Sequence, residues 1–163
     1  MRHFTQSLVV SALALASTIA LWAGGLFVVP GNPEANAEAR AHKAVLTLKL
    51  AGCHEPQKAL LTGTAIGVID GRKQTIALEI DALSEPGTYA LTRQWPDKGR
   101  WVLEFVAKDQ GRITSTLVGA GPGGIERETA KMGMHEPVPE EVAALLAGGP
   151  AKCASLEGRN CVY

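Results

Sequence analysis

The sequence predicts an all-β domain: an antiparallel sandwich, preceded by an apolar export or anchor helix and followed by a short helix. Three observations carry this. Between Val45 and Val118 short apolar runs alternate with the two-residue period of a pleated strand. Gly, Pro and Asp-Gly turn signals separate those runs at short intervals, and no stretch between them is long enough for a crossover helix.

The chain has 163 residues, enough for one domain, and its 46% apolar content is raised by an N-terminal segment outside the predicted fold. Acidic and basic residues number 16 each and are scattered. Such a balance creates no long-range field, which excludes a nucleic-acid partner and electrostatic docking on an anionic membrane.

At the start, Arg2 stands in a segment without acids, and Leu8 to Val29 is an uncharged apolar run. It is followed by Ala35-Asn36-Ala37, a small-x-small cleavage pattern, with Ala37-Glu38-Ala39 as a second option. Residues 1–37 are therefore expected to form a signal peptide, with the mature chain starting at Glu38 or Arg40, or to stay as a membrane anchor. The anchor is the rival because the run exceeds the roughly 7 to 15 residues of a signal core and reaches the roughly 20 that cross a bilayer. In both cases the domain lies outside the cytoplasm, periplasmic or single-pass anchored, and an uncleaved chain contacts membrane only through residues 8–29. Leu50-Ala51-Gly52-Cys53 matches the letters of a lipoprotein lipobox, but Val45 to Leu50 alternates as a strand, and Lys49 interrupts the approach.

The sandwich is expected over residues 41–120. Leu46, Leu48 and Leu50 share one face of the first strand, and Leu60 to Ile69 forms the second up to an Asp70-Gly71 turn. Thr75 to Leu83 then turns Ile76, Leu78 and Ile80 inward and Glu79 and Asp81 outward. Pro86 to Ala107 is expected to be a central β-hairpin. Tyr89 and Leu91 lie on one arm, Trp101, Leu103, Phe105 and Ala107 on the other, and Pro96-Asp97-Lys98-Gly99 forms the turn. Trp95, Trp101 and Phe105 all fall in this region, which makes it the expected centre of the core. Asp109-Gln110-Gly111 turns the chain into a last strand, Ile113 to Val118.

Leu83 to Tyr89, with Pro86-Gly87 ahead of Tyr89, resembles the tyrosine corner of fibronectin type III and other immunoglobulin-like domains. The longer run PGTYALTRQWPDKGRWVLEFVA is similar to the hairpin of the YtkA-like and FixH-like exported β-sandwich families. The resemblance covers Leu83 to Ala107 and implies an immunoglobulin-like sandwich in an exported protein; no ligand or metal role passes over with it.

Residues 121–163 are expected to be an irregular extension, or an edge strand in their first part, with a short helix. Pro139-Glu140-Glu141 places proline and two acids in a first turn, Val142, Leu145 and Leu146 give one apolar side, and Gly148-Gly149 ends it. The helix is expected on a sheet edge or an open end of the sandwich.

Little in the chain names a reaction. Gly119 to Gly124 lacks the Gly-Lys-Ser/Thr ending of a phosphate loop, and no serine or cysteine stands in a nucleophile motif. No catalytic residue is assigned, and the chain is read as a non-enzyme. In an oxidising compartment Cys153 and Cys161 are expected to pair, with Cys53 bonded to one of them as the alternative. Function then divides between two classes. The first is a non-catalytic interaction module of the envelope, with a protein or envelope partner and no cofactor. The second is a copper-binding protein using Met132, Met134 and His135, with Cys53, His54 and His42 in reserve, because thioethers and imidazole suit copper. In an extended chain Met132 and Met134 point one way and His135 the other, so the three converge only if the backbone turns at Gly133.

Overall fold

The computed structural model describes residues 25–52 and 55–148. The chain runs β1 (Leu26–Gly31), a 3-10 turn (Pro33–Ala35), α1 (Ala37–Ala41), β2 (Leu46–Gly52), a second 3-10 turn (Pro56–Lys58), β3 (Leu60–Ile69), β4 (Arg72–Leu78) and β5 (Asp81–Ala82). It continues through β6 (Thr88–Leu91), β7 (Arg100–Asp109), β8 (Arg112–Gly121), β9 (Gly124–Gly133) and α2 (Pro139–Leu146). Two antiparallel sheets form, a four-stranded one ordered β1-β2-β6-β5 and a five-stranded one ordered β4-β3-β7-β8-β9. Taken as A, B, E, D against C′, C, F, G, with β9 added at the edge, this is the strand order of an immunoglobulin-like sandwich. The expected all-β class and the C-terminal helix are both present; the apolar segment ahead of Gly25 lies outside the described residues.

The core follows from the alternation. Leu46, Leu48 and Leu50 face inward from β2 and meet Trp101, Leu103 and Phe105 from β7, all between 0% and 3% exposed. Trp101 lies on Gly67 of the neighbouring strand, its register partner, so closely that a Cβ there would come within 2.4 Å of the indole. Its Nε1–H donates to the Lys98 carbonyl at 2.9 Å, which joins the core to the loop before β7. Asp70-Gly71 and Gln110-Gly111 close the β3–β4 and β7–β8 hairpins with positive φ at both central residues, 50° and 74°, then 47° and 80°. That is the mirror-image turn whose twist matches paired strands.

Several expectations give way to tertiary structure. Pro86–Ala107 is not a hairpin: β6 lies in the four-stranded sheet beside β2 and β5, and β7 lies in the other sheet between β3 and β8. Alternation identifies the inward face of a strand but not its partner, and the segment 92–99 is long enough to cross between sheets. Gly99 has the expected left-handed φ, 78°, yet it serves this crossing. Tyr89 is consequently mid-sheet on β6, opposite Leu48 and Ala82, rather than at the corner leading into β7.

The run Thr75 to Leu83 is likewise shared by both sheets. The Gln94 side chain imitates a strand there, accepting from Glu79 N–H at 2.8 Å and donating to the Glu79 carbonyl at 2.7 Å. With those groups satisfied the chain leaves β4 and starts β5 in the opposite sheet.

Residues 121–133 are not an irregular extension. β8 continues to Gly121 and turns at Pro122-Gly123 into β9, the edge-strand alternative. A register shift between Leu117 and Gly119 interrupts the pairing, and Thr129 fills it: Oγ1 accepts from Gly119 N–H and donates to the Glu126 carbonyl, both at 2.7 Å.

Leu26 to Gly31, expected to belong to a leader, is strand β1. Val28 is wholly buried, its carbonyl accepts the buried Thr116 hydroxyl at 2.6 Å, and the strand pairs with β2 from Leu26↔Gly52 to Gly31↔Thr47. The small-x-small letters around Ala37 have a helical use: Asn36 caps α1 by accepting from Ala39 N–H at 3.0 Å. Among the described residues no helix is long and apolar enough to cross a membrane.

Candidate functional site

The outer face of the five-stranded sheet is the side where α2 matters. Val142 and Leu145 pack on Ile66, Val102 and Leu117, so the helix covers the middle of that face rather than an edge or an open end. One ion pair and one arginine hydrogen bond fix it. Lys131 meets Glu141 at 2.5 Å near the helix start, with side chains only 16% and 8% exposed. Arg100 donates from Nε to the Leu145 carbonyl at 2.8 Å and from a guanidinium NH2 to Glu126 at 2.6 Å. The Arg100 contact supplies a cation and a donor at the end of the helix where carbonyls are left over. Arg100→Met is expected to cost about 1.5 to 3 kcal/mol, the range for hydrogen bonds to charged groups. Hydrogen exchange should show the loss first in α2 amides, with β7 and β8 still protected; uniform loss would argue against a local role.

Beside α2 the same face is open. Thr62, Glu104, Val106, Lys108, Glu136 and Pro137 line a hollow of about 250 Å³. Leu60, 66% exposed, and Val138, 39% exposed, are apolar residues close to these in sequence. Lys108 and Glu136 form an ion pair across the hollow, and that bond holds the Glu136 carboxyl below its usual range. Glu104 behaves differently. Partial burial on β7 raises its pKa, the nearby Glu136 charge raises it further, and only Lys73 acts in the other direction. Its carboxyl makes no hydrogen bond or ion pair with any described residue.

The sign of this shift gives a test. A carboxyl whose pKa is higher folded than unfolded favours the fold while protonated; that contribution is complete below the ordinary glutamate value, about 4.3, and is lost as pH rises through the raised one. Glu104→Gln is therefore expected to raise the unfolding midpoint at pH 7 and to leave it unchanged at pH 3. An equal gain at both values would show that charge is not the cause.

A second hollow, about 310 Å³, lies on the outer face of the other sheet against the β1–α1 connection. Four of its polar side chains already have work, while the buried Thr88 hydroxyl has no hydrogen-bond partner among the described residues. Asn32 and Asn36 cap the 3-10 turn and α1, and Lys49 pairs with Glu85 at 2.7 Å. That bond is the main reason the Glu85 carboxyl stays below its usual range.

The expected metal residues are not gathered. Gly133 remains in β9 opposite Ser115, outside the left-handed region, so the required turn does not form. The His135 ring lies over it, with Nε2 3.2 Å from where a Gly133 Cβ would be and Nδ1 2.7 Å from the Glu136 carbonyl. Met132 sits opposite Thr116, whose hydroxyl points into the sandwich, and the Met134 methyl lies beside Gly25. The methionines and the histidine thus occupy opposite sides of the strand end. His42 is the exposed C-cap of α1; Cys53, His54, Cys153 and Cys161 lie outside the described residues. Among the described residues no three His, Cys, Asp or Glu side chains group as a metal site.

Sequence reading did not single out Glu104. The signal was present as the one acid in the run Trp101 to Ala107, but its outward parity marked it as a solvated position. These features define an immunoglobulin-like sandwich with an open, acid-bearing sheet face. No family model, curated protein or solved structure matches the chain.

Proposed function

We propose that the protein is a non-catalytic interaction module of the cell envelope, exported and binding a partner protein through the open half of its five-stranded sheet. The observation that carries this reading is Glu104, a half-buried carboxyl beside the hollow that makes no hydrogen bond or ion pair with any described residue. A perturbed acid in a hollow marks a candidate binding position. Here the complementary group is a basic side chain, which would pair with Glu104 while its neighbours cover Leu60 and Val138. Such an anchor beside apolar contact is the usual composition of a protein interface centre.

Site-specific photo-crosslinking in cells tests this. A crosslinker at Leu60 should give a discrete adduct that weakens in the Glu104→Gln background, and one at Asp97, on the distant 92–99 loop, should not. Adducts of equal strength at both positions, or none at Leu60, would remove the reading.

A further inference from the structure

We infer that the export segment is cut between Gly25 and Leu26, so that the folded domain begins with strand β1; this rests on the reading of the protein as exported. Three observations converge. The first is that β1 belongs to the core. Leu26 is 6% exposed and Val28 wholly buried, and the connection after β1 is built in as well: Ala39 of α1 packs with Leu83 and Ala90. The Glu38 carboxylate accepts from the Ser84 hydroxyl and from Ser84 N–H at 3.0 Å, bonds that hold it below its usual pKa. Removal of residues up to Ala37 or Ala39 would therefore take away a paired strand and the cap of α1.

The second observation concerns length. Once Leu26 to Val29 is assigned to β1, the apolar core ahead of the small residues Ala23-Gly24-Gly25 is Leu8–Trp22. That falls within the roughly 7 to 15 residues of a signal core, with Arg2 ahead of it. Ala23-Gly24-Gly25 follows at once and is itself a small-x-small site. The third observation weighs against a retained anchor. As a helix at about 1.5 Å per residue, Leu8 to Gly25 stands at the lower limit of the roughly 17 to 25 residues that cross the hydrocarbon layer, and covers far less than the roughly 40 to 45 Å that includes headgroups. Pairing of β1 with β2 already starts at Leu26↔Gly52. No linker remains, so an uncut helix would draw the paired end of the sheet into the headgroup layer. The reaction is hydrolysis of the Gly25–Leu26 amide by a membrane signal peptidase, consuming one water and leaving the Gly25 carboxylate on the leader and a free α-amino group on Leu26.

The full-length chain, expressed with a C-terminal tag in a bacterial host and recovered from the envelope fraction, should have Leu26 as its first residue by intact mass and N-terminal sequencing. Ala23→Gln, which replaces the small residue at the recognition site, should reduce processing at least tenfold, and Ala35→Gln should not affect it. Exported protein that starts at Glu38 or Arg40, or that retains Met1, overturns the inference while leaving export in place. Uncut protein confined to the cytoplasm overturns the export reading together with the inference.

Discussion

A chain that starts at Glu38 is expected to lack a cooperative unfolding transition, whereas one that starts at Leu26 unfolds in a single step. The difference is strand β1. Its loss removes Leu26 and Val28 from the core, each worth about 1.5 to 3 kcal/mol when fully buried. It also leaves the buried Thr116 hydroxyl without its acceptor, at about 1 to 3 kcal/mol. The α1 cap by Asn36 adds about 0.5 to 2 kcal/mol. Those losses together reach the 5 to 15 kcal/mol that is the whole stability of an ordinary domain. They also turn β2, with its inward Leu46, Leu48 and Leu50, into an unprotected edge prone to association. Thermal melts followed by near-ultraviolet circular dichroism decide the matter; midpoints within a few degrees of each other would show that β1 is dispensable.

Trp101→Ala is expected to be the most damaging single substitution, at about 3 to 5 kcal/mol, the range for a large aromatic removed from a closed core. Trp101 is wholly buried, fills the space over Gly67 and holds the Lys98 carbonyl. The loss therefore combines a cavity with an acceptor left unpaired at the end of the crossing loop. Gly67→Ala examines the same contact from the other side: its methyl would overlap the indole, and a cost of about 1 to 3 kcal/mol is expected from overpacking. Because both residues form one contact, the double variant should cost less than the sum of the two. Denaturant unfolding of the three variants measures this, and strict additivity would mean that the ring and the glycine are not coupled.

Much of the fold was legible because strand alternation is a local property. Leu46, Leu48 and Leu50, and Trp101 through Ala107, face inward as their spacing requires, and the Asp70-Gly71 and Gln110-Gly111 turns form where the residues allow positive φ. α2 carries its apolar side where Val142, Leu145 and Leu146 place it. Partner choice was not legible. Nothing in Pro86–Ala107 distinguishes a hairpin from a crossing between sheets, since both need an inward face and a turn, and the decision came from β2, which offers β6 an edge more than thirty residues earlier in the chain.

The candidate site divides in the same way. The Met132, Met134 and His135 cluster and its opposed directions in an extended chain were visible as letters, but only the strand register determined that Gly133 stays extended and the turn that would gather them does not form. Glu104 had the outward parity of a solvated acid, and its burial depends on segments distant in sequence: β3 on one side and the chain before α2 on the other. At the N-terminus a single apolar run contains both strand β1 and the segment expected to be a signal or anchor, and hydropathy cannot separate the two. Leu8 to Trp22 and Leu26 to Val29 are equally uncharged, because a membrane core and a sandwich core reject charge for the same reason. The sequence by itself determined that this is an all-β protein, where its strands face and where its turns close, since these depend on neighbours along the chain. Only the tertiary structure decided which strands pair, that Leu26 to Gly31 is one of them, and that Glu104 is half-buried without an ion pair among the described residues, because each of those depends on contacts between residues that the sequence keeps far apart.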